Sequence, residues 1–198
     1  MAEKKRHEYI LELNKSPWRV KPPKVPGARI RADLAANPSA LAQLMFSAYR
    51  GTIDYDDESL DDARAEIDQY LYNSDLRPLL ICSWLFHASG LLVSACLVSW
   101  WASRRSPIIG YVITHPDWKN RGIAAELLQE TLQSLSEHNY TQVRAVITEG
   151  NIPSERLFAR AGFTRAYPEN VLPDVGGLEP DDTVVPLREA RQPEFSEA

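Results

Sequence analysis

The chain has 198 residues, of which 44% are hydrophobic and 25% charged, enough apolar material for one sizeable core with appendages. Its formal charge of −5 and pI near 5.4 argue against a general nucleic-acid binder, which would carry a basic face, and suit an amine-bearing substrate only weakly. No apolar run reaches the length of a membrane span, and Met1-Ala2-Glu3-Lys4-Lys5-Arg6 does not lead into an apolar signal core, so a cytoplasmic location is expected.

Residues 1–27 read as an arm. Tyr9–Leu13 can add a short strand, while Pro17, Pro22, Pro23 and Pro26 keep the second half of the arm extended. Lys4-Lys5-Arg6 reads as a solvated tail. Arg29–Ala32 is the first core strand, short and alternating. Asn37-Pro38 caps a helix whose apolar stripe is Leu41, Leu44, Met45 and Ala48, and Ser59 caps a second with Ala63, Ile67, Tyr70 and Leu71 turned inward. The loop between them carries Asp54, Tyr55, Asp56, Asp57 and Glu58.

Leu79–Phe86 and Leu91–Trp100 are apolar on both alternating faces, as strands covered on both sides should be. Ala88-Ser89-Gly90 fits a three-residue hairpin loop, a register that sets Cys82 across from Cys96 and leaves His87 exposed. Both cysteines read as reduced core residues, and no His or Asp stands at ligand spacing for a metal.

Residues 107–163 are the most informative stretch. Ile108–Thr114 is a buried strand stopped by His115-Pro116. From Gly122 a helix places Ile123, Leu127, Leu128, Thr131, Leu132 and Leu135 on one face, and Glu126, Gln129, Glu130, Gln133 and Glu137 on the other. The turn between them is short, polar and basic. The first amides of a helix have no internal partner and carry the positive dipole end, so this strand–turn–helix is a ready anion site, with Gly122 allowing close approach. Thr141–Thr148 is a further strand. Asn151 near the N-cap, Pro153 in the first turn and Gly162 past the end delimit a short helix. Phe163 begins a sixth strand and Thr183–Leu187 a last one. Between these two lies Pro168–Pro180, a loop rich in Pro, Gly and acids, and 189–198 is a polar tail.

Lys119-Asn120-Arg121-Gly122-Ile123-Ala124 resembles the pyrophosphate-cradling signature of the GNAT acyl-CoA N-acyltransferases, with Lys119 in a place where that family prefers Gln or Arg. Asn151-Ile152-Pro153-Ser154-Glu155-Arg156-Leu157-Phe158, with Gly162-Phe163 after it, resembles the family's second motif in spacing and order. The resemblance spans roughly 28–188, with motif detail in 107–163. It implies an α/β fold with a mixed, mostly antiparallel sheet of about six to seven strands, flanked by about four helices, and a GNAT domain over 28–188. The family's fourth and fifth strands, here 107–114 and 141–148, would be splayed.

The resemblance also implies acetyl-CoA as acyl donor and an amine as acceptor; a homodimer is possible, and from charge, ligand spacing and apolar run length no metal, nucleic acid or membrane is expected. Val112, Ile113 and Thr114 would contact the pantetheine through their backbone, one of their amides serving as oxyanion donor. Lys119, Asn120, Arg121, Gly122, Ile123, Ala124 and Ala125 would hold the pyrophosphate, and Asn151, Ser154 and Phe158 would border the pantetheine arm. In many members the place of Phe158 holds a tyrosine that protonates the leaving thiolate. Here Tyr111 or Tyr167 substitutes, or the thiolate leaves unprotonated, or the enzyme is inactive. Glu149 is the first choice of base and Asp54 the second. Asp54 and Tyr55 would line the acceptor mouth, the neighbouring acids being either a cation-attracting rim or a solvated helix start. Three readings stand: an acetyltransferase acting on a small amine, an acyl-CoA-binding module that has lost catalysis, and an acetyltransferase acting on protein N-termini or lysines. A P-loop is excluded, since no Gly-Lys-Ser/Thr comes after Gly122.

Overall fold

The structure, a computed structural model, describes residues 4–15, 22, 25–73 and 77–167. It contains seven strands: β1 (Arg6–Glu12), β2 (Ala28–Arg31), β3 (Trp84–Ala88), β4 (Leu91–Trp101), β5 (Ser106–Thr114), β6 (Gln142–Thr148) and β7 (Thr164–Arg165). The helices are α1 (Ala32–Ala35, a single turn), α2 (Pro38–Tyr49), α3 (Leu60–Tyr72), α4 (Ile123–Glu137) and α5 (Ile152–Arg160). The expected strand Thr183–Leu187, the loop 168–180 and the tail 189–198 lie outside the described residues.

One mixed sheet runs in the order β2-β3-β4-β5-β6-β1-β7. Every neighbouring pair is antiparallel except β5 and β6. Its two faces bury separate cores. On one face Leu127, Leu128, Leu132 and Leu135 of α4 and Phe158 of α5 pack on Val98, Ile109, Val143 and Ala145. On the other, Leu41 and Met45 of α2 and Ile67 and Tyr70 of α3 pack on Leu85, Ala95, Leu97 and Ile113. The α2 and α3 stripes read from the sequence are the buried residues, because a 3.6-residue period leaves one apolar face that must be covered.

Several sequence expectations are corrected. The segment read as an arm supplies β1, an inner strand paired along its length with β6. Leu80–Cys82 is a 3-10 turn rather than the start of a strand, and β3 begins only at Trp84. The cause is Ser83, whose hydroxyl donates to Leu79 O at 2.9 Å and accepts from Val98 N at 2.9 Å. A side chain thus takes a bond that a ladder would otherwise use. The hairpin loop is the two residues Ser89 and Gly90, at φ 51° and 76°, the pairing geometry of a primed turn. With the register shift at Phe86/His87 this places Trp84, not Cys82, across from Cys96, and His87 is half-buried. Glu126 is buried, not solvated, because Arg29 of the edge strand β2 holds it at 2.7 Å and Glu130 at the same distance. Lys4 and Lys5 are not a free tail: Lys4 pairs with Asp56 at 2.5 Å and Lys5 with Glu149 at 3.4 Å.

A second register shift, between Leu97 and Val98, leaves Gly110 of β5 without a partner on β4. An extra residue reverses the side-chain alternation. Ile109 therefore points into the α4 core, while Tyr111 and Ile113 point to the α2–α3 side. Glycine suits this bulge, having no side chain to place.

Cys82 and Cys96 are free and buried. Burial pushes both thiols from 9.0 up to about 12, and Tyr49 likewise from 10.0 to about 12. The folded values lie above the unfolded ones, so the stability these groups confer is complete below pH ~9 and is lost as pH climbs toward 12. Thermal midpoints should stay level from pH 7 to about 8.5 and then fall. Cys96→Ala should flatten that fall by one proton's worth, about 1.4 kcal/mol per pH unit at most, as measured by denaturant titration at stepped pH.

Candidate active site

β5 and β6 pair in parallel only at Ile108↔Arg144 and Ile109↔Ala145. Beyond these the strands part, and Gly110–Thr114 and Val146–Thr148 face each other without a ladder. His115 N donates to Val93 O at 2.9 Å, and bonded residues alternate along an antiparallel pair. The Ile113 and Tyr111 backbones are thereby directed at β4, and those of Val112 and Thr114 at the opening. Of the three residues expected to offer main-chain contacts there, Ile113 is turned the other way. The bulge at Gly110 sets this phase.

The chain leaves β5 through a 3-10 turn, Pro116–Trp118, and enters α4 at Gly122. Asn120 and Gly122 both have positive φ, 61° and 85°, which folds the turn back on itself. Arg121 fixes it from outside by donating to Asp117 O at 2.8 Å, its guanidinium lying 4.9 Å from the centre of the Trp118 ring. Asn37, Ser59 and Asn151 cap α2, α3 and α5 with their side chains, whereas Gly122 offers α4 no side-chain cap. The first α4 bond is Glu126 N to Gly122 O, so the amides of Ile123, Ala124 and Ala125 have no acceptor within the helix. They form a positively polarised end beside the opening. Lys119 is used differently: its ammonium donates to Ala48 O, at the end of α2, at 3.2 Å, a favourable place for a cation.

The far lip is the turn into α5. Asn151 accepts from Ser154 N at 3.2 Å and donates its amide to Asp54 at 2.6 Å. The expected acceptor-loop residue Asp54 and the second-motif residue Asn151 are thus in contact. The rest of the loop is more neutral than its acid count suggests. Asp56 pairs with Lys4, which also reaches Tyr55 O at 3.4 Å, and Glu58 accepts from the Asp56 amide at 2.7 Å.

Glu149 is exposed and accepts from His7 at 2.8 Å. That bond, with Lys5 beside it, holds the carboxylate below its usual range. It is tied to β1, on the side of β6 away from β5. Phe158 is buried edge-on to Phe163, ring centres 4.9 Å apart. Tyr167 is exposed beneath Arg165, just past β7 and two strands from the opening. Tyr111 stands at the opening on the α2–α3 side, edge-on to Tyr70 at 5.8 Å, and its hydroxyl donates to Glu66 of α3. Burial first, and then the Glu66 bond, push the Tyr111 phenol well above its ordinary value. Sequence reasoning missed Glu66 and His7. Glu66 had a signal, since it lies next to Ile67 and at i+3 from the inward Ala63.

Comparison with known proteins agrees with this fold. The model for the Acetyltransferase (GNAT) domain matches residues 30–164. A GCN5-related N-acetyltransferase from Sphaerobacter thermophilus superposes with TM-score 0.61 at 20% identity, over 81% of this chain but 48% of that one. This chain therefore spans about half the length of that relative. PH1933 from Pyrococcus horikoshii OT3 gives TM-score 0.60 at 15% identity over 72% and 91% of the two chains. The aminoglycoside N-acetyltransferase AAC(6')-Iy, solved with CoA, gives 0.52 at 12% identity over 76% and 94%. No curated protein sequence matches the chain.

Asn151 joins two lips of the opening, so Asn151→Ala should remove a helix cap and release Asp54 together. The expected loss is about 1 kcal/mol of stability, read from urea unfolding, with faster amide exchange confined to residues 51–58 and 150–154.

Proposed function

The chain belongs to the GNAT acetyltransferase family, and from that premise we propose that it transfers acetyl from acetyl-CoA to a primary amine of a small, cationic molecule in the cytoplasm. The observation that supports this reading most is the α4 amino end, without a side-chain cap, at the mouth of two strands that part after two residue pairs. A diphosphate placed at Ile123–Ala125 would meet free amides and the positive dipole end, with Asn120 and Arg121 on the same turn. A pantetheine arm running along β5 could then take the backbone groups of Val112 and Thr114 that β4 does not use. On the acceptor side Asp54 and Glu66 supply negative charge, while Tyr49 and Tyr111 keep their protons at neutral pH. Their field would draw in an ammonium group, an effect that salt weakens over a screening length of about 8 Å.

The chemistry asked of these residues is modest. The amine must lose a proton and be held against the thioester carbonyl, and the oxyanion must meet a fixed donor. A backbone amide of the opened β5 edge is the donor in this reading, and no metal enters it.

Gly122→Val should weaken coenzyme A binding at least tenfold in calorimetry. The residue sits at φ 85°, so a branched side chain there also brings strain. Gly90→Val is the control, since Gly90 has φ 76° and open space around it. It shares the strain and should leave affinity unchanged. Equal affinity in Gly122→Val, or no thiol release from acetyl-CoA across a broad amine panel, would overturn the reading.

Asp54→Asn should raise the Michaelis constant of the amine severalfold with little change in turnover, and added salt should shrink the difference between the two proteins. Steady-state kinetics at two ionic strengths checks this. A best acceptor that is neutral or anionic would count against a cationic substrate.

A further inference from the structure

Glu149 is the carboxylate that the sequence points to as base, but it is held by His7 and Lys5 on the β1 side. We propose that Glu66 of α3 binds the acceptor ammonium and takes its proton, with Tyr111 as the positioning residue that fixes it. This rests on the acetyl transfer proposed above.

Three features place Glu66. First, the bulge at Gly110 turns Tyr111 to the α2–α3 side, just past the last paired residues of β5 and β6. Without the extra residue Tyr111 would share a face with Ile109 and point into the α4 core. Second, the Tyr111 hydroxyl donates to one Glu66 oxygen, and its ring is braced edge-on by Tyr70. Tyr70 is itself fixed by a 2.8 Å bond to Val98 O and by Ser83. The orientation of the carboxylate thus rests on a buried network. Third, the other Glu66 oxygen accepts no bond among the described residues, and Glu66 is exposed, so an incoming amine can reach it.

The charged and titratable groups on this side of the sheet come from several elements: Tyr49 of α2, Asp54 and Glu58 of the loop, Arg6 of β1 and Tyr111 of β5. After burial, Asp54 and Glu66 both push the Tyr49 phenol upward, so both carboxylates lie near it. Asp54 is occupied by Asn151. Glu66 is the one whose bond comes from a strand that lines the opening.

In the reaction, Glu66 carboxylate removes one proton from R-NH3+, and the neutral amine attacks the thioester carbonyl carbon. The tetrahedral adduct collapses with cleavage of the C–S bond. The second nitrogen proton passes to the departing thiolate, directly or through water, and Glu66 returns its proton to solvent. The products are the amide, coenzyme A thiol and one proton.

The test uses the full chain, acetyl-CoA and the best amine of the panel. Glu66→Gln should lower kcat/KM at least 100-fold with unchanged acetyl-CoA affinity, and should abolish the acidic limb of the kcat/KM–pH profile. Glu66→Asp should restore part of the rate. Tyr111→Phe should lower kcat severalfold with KM for the amine and acetyl-CoA affinity little changed, because the carboxylate keeps its place on α3 but loses the bond that orients it. A merely structural role for Glu66 would lower the rate and leave the limb in place, which would overturn the assignment. So would wild-type kinetics in Glu66→Gln, or loss of the limb in Glu149→Gln instead. A wild-type protein that binds acetyl-CoA but releases no thiol with any amine would overturn the functional reading, and this assignment with it.

Discussion

The structure depends on a sheet that is allowed to come apart in its middle. β5 and β6 share two residue pairs and then diverge, so backbone groups of Val112 and Thr114 on one side and of Val146 on the other are turned into the gap and lack a ladder there. Such groups are costly when they are neither paired nor hydrated. Water or a ligand must satisfy them, and the gap thus offers polar groups before any side chain is considered. Parallel pairing makes it possible. Consecutive parallel strands need a long crossover, here α4, and the start of that crossover necessarily lies beside the end of β5. A gap with polar edges and a helix amino end thus arise together from one topological choice.

β1 then determines which acids are free. Because it lies against the whole of β6, its leading residues reach the open end of the sheet. Lys4 neutralises Asp56, and Lys5 with His7 hold Glu149. The carboxylate of each pair is exposed, so each pair contributes little to stability. Their effect is selective: they lower the basicity of Glu149 and thin out the acidic loop. That leaves Asp54, bound to Asn151, and Glu66, bound to Tyr111, each tied to a residue that borders the opening.

Local signals in the sequence were reliable where the physics is local. The caps Asn37, Ser59 and Asn151, the terminal Gly162 and the buried stripes of α2, α3 and α4 each arise from a few neighbouring residues. Failures came where a distant residue decides. Leu79–Phe86 has the composition of a strand, yet the Ser83 hydroxyl captures the Val98 amide and breaks the ladder. The Gly110 bulge leaves no trace in hydrophobic alternation, because β5 is apolar on both faces, so the side on which Tyr111 would emerge was not readable. Arg29 covering Glu126, and Lys4 meeting Asp56, are contacts across many residues that no periodicity encodes.

Phe158 raises the question of how a thiolate leaves without the phenol that its place often holds in this family. The ring is buried edge-on to Phe163 within the α4–α5 core, so its role here is to close that core beside the α5 motif. A hydroxyl added there would need a partner in an apolar layer. Tyr167 is two strands away, and the Tyr111 hydroxyl is committed to Glu66. In the proposed reaction a separate acid is unnecessary for proton balance: once the amine has attacked, its nitrogen still carries a proton that must depart, and the thiolate formed in the same collapse needs one. Water between the two can carry it. The demand on the protein then shifts from protonating sulfur to delivering a neutral amine, which is the task that a fixed, accessible carboxylate opposite the opened β5 edge is placed to perform.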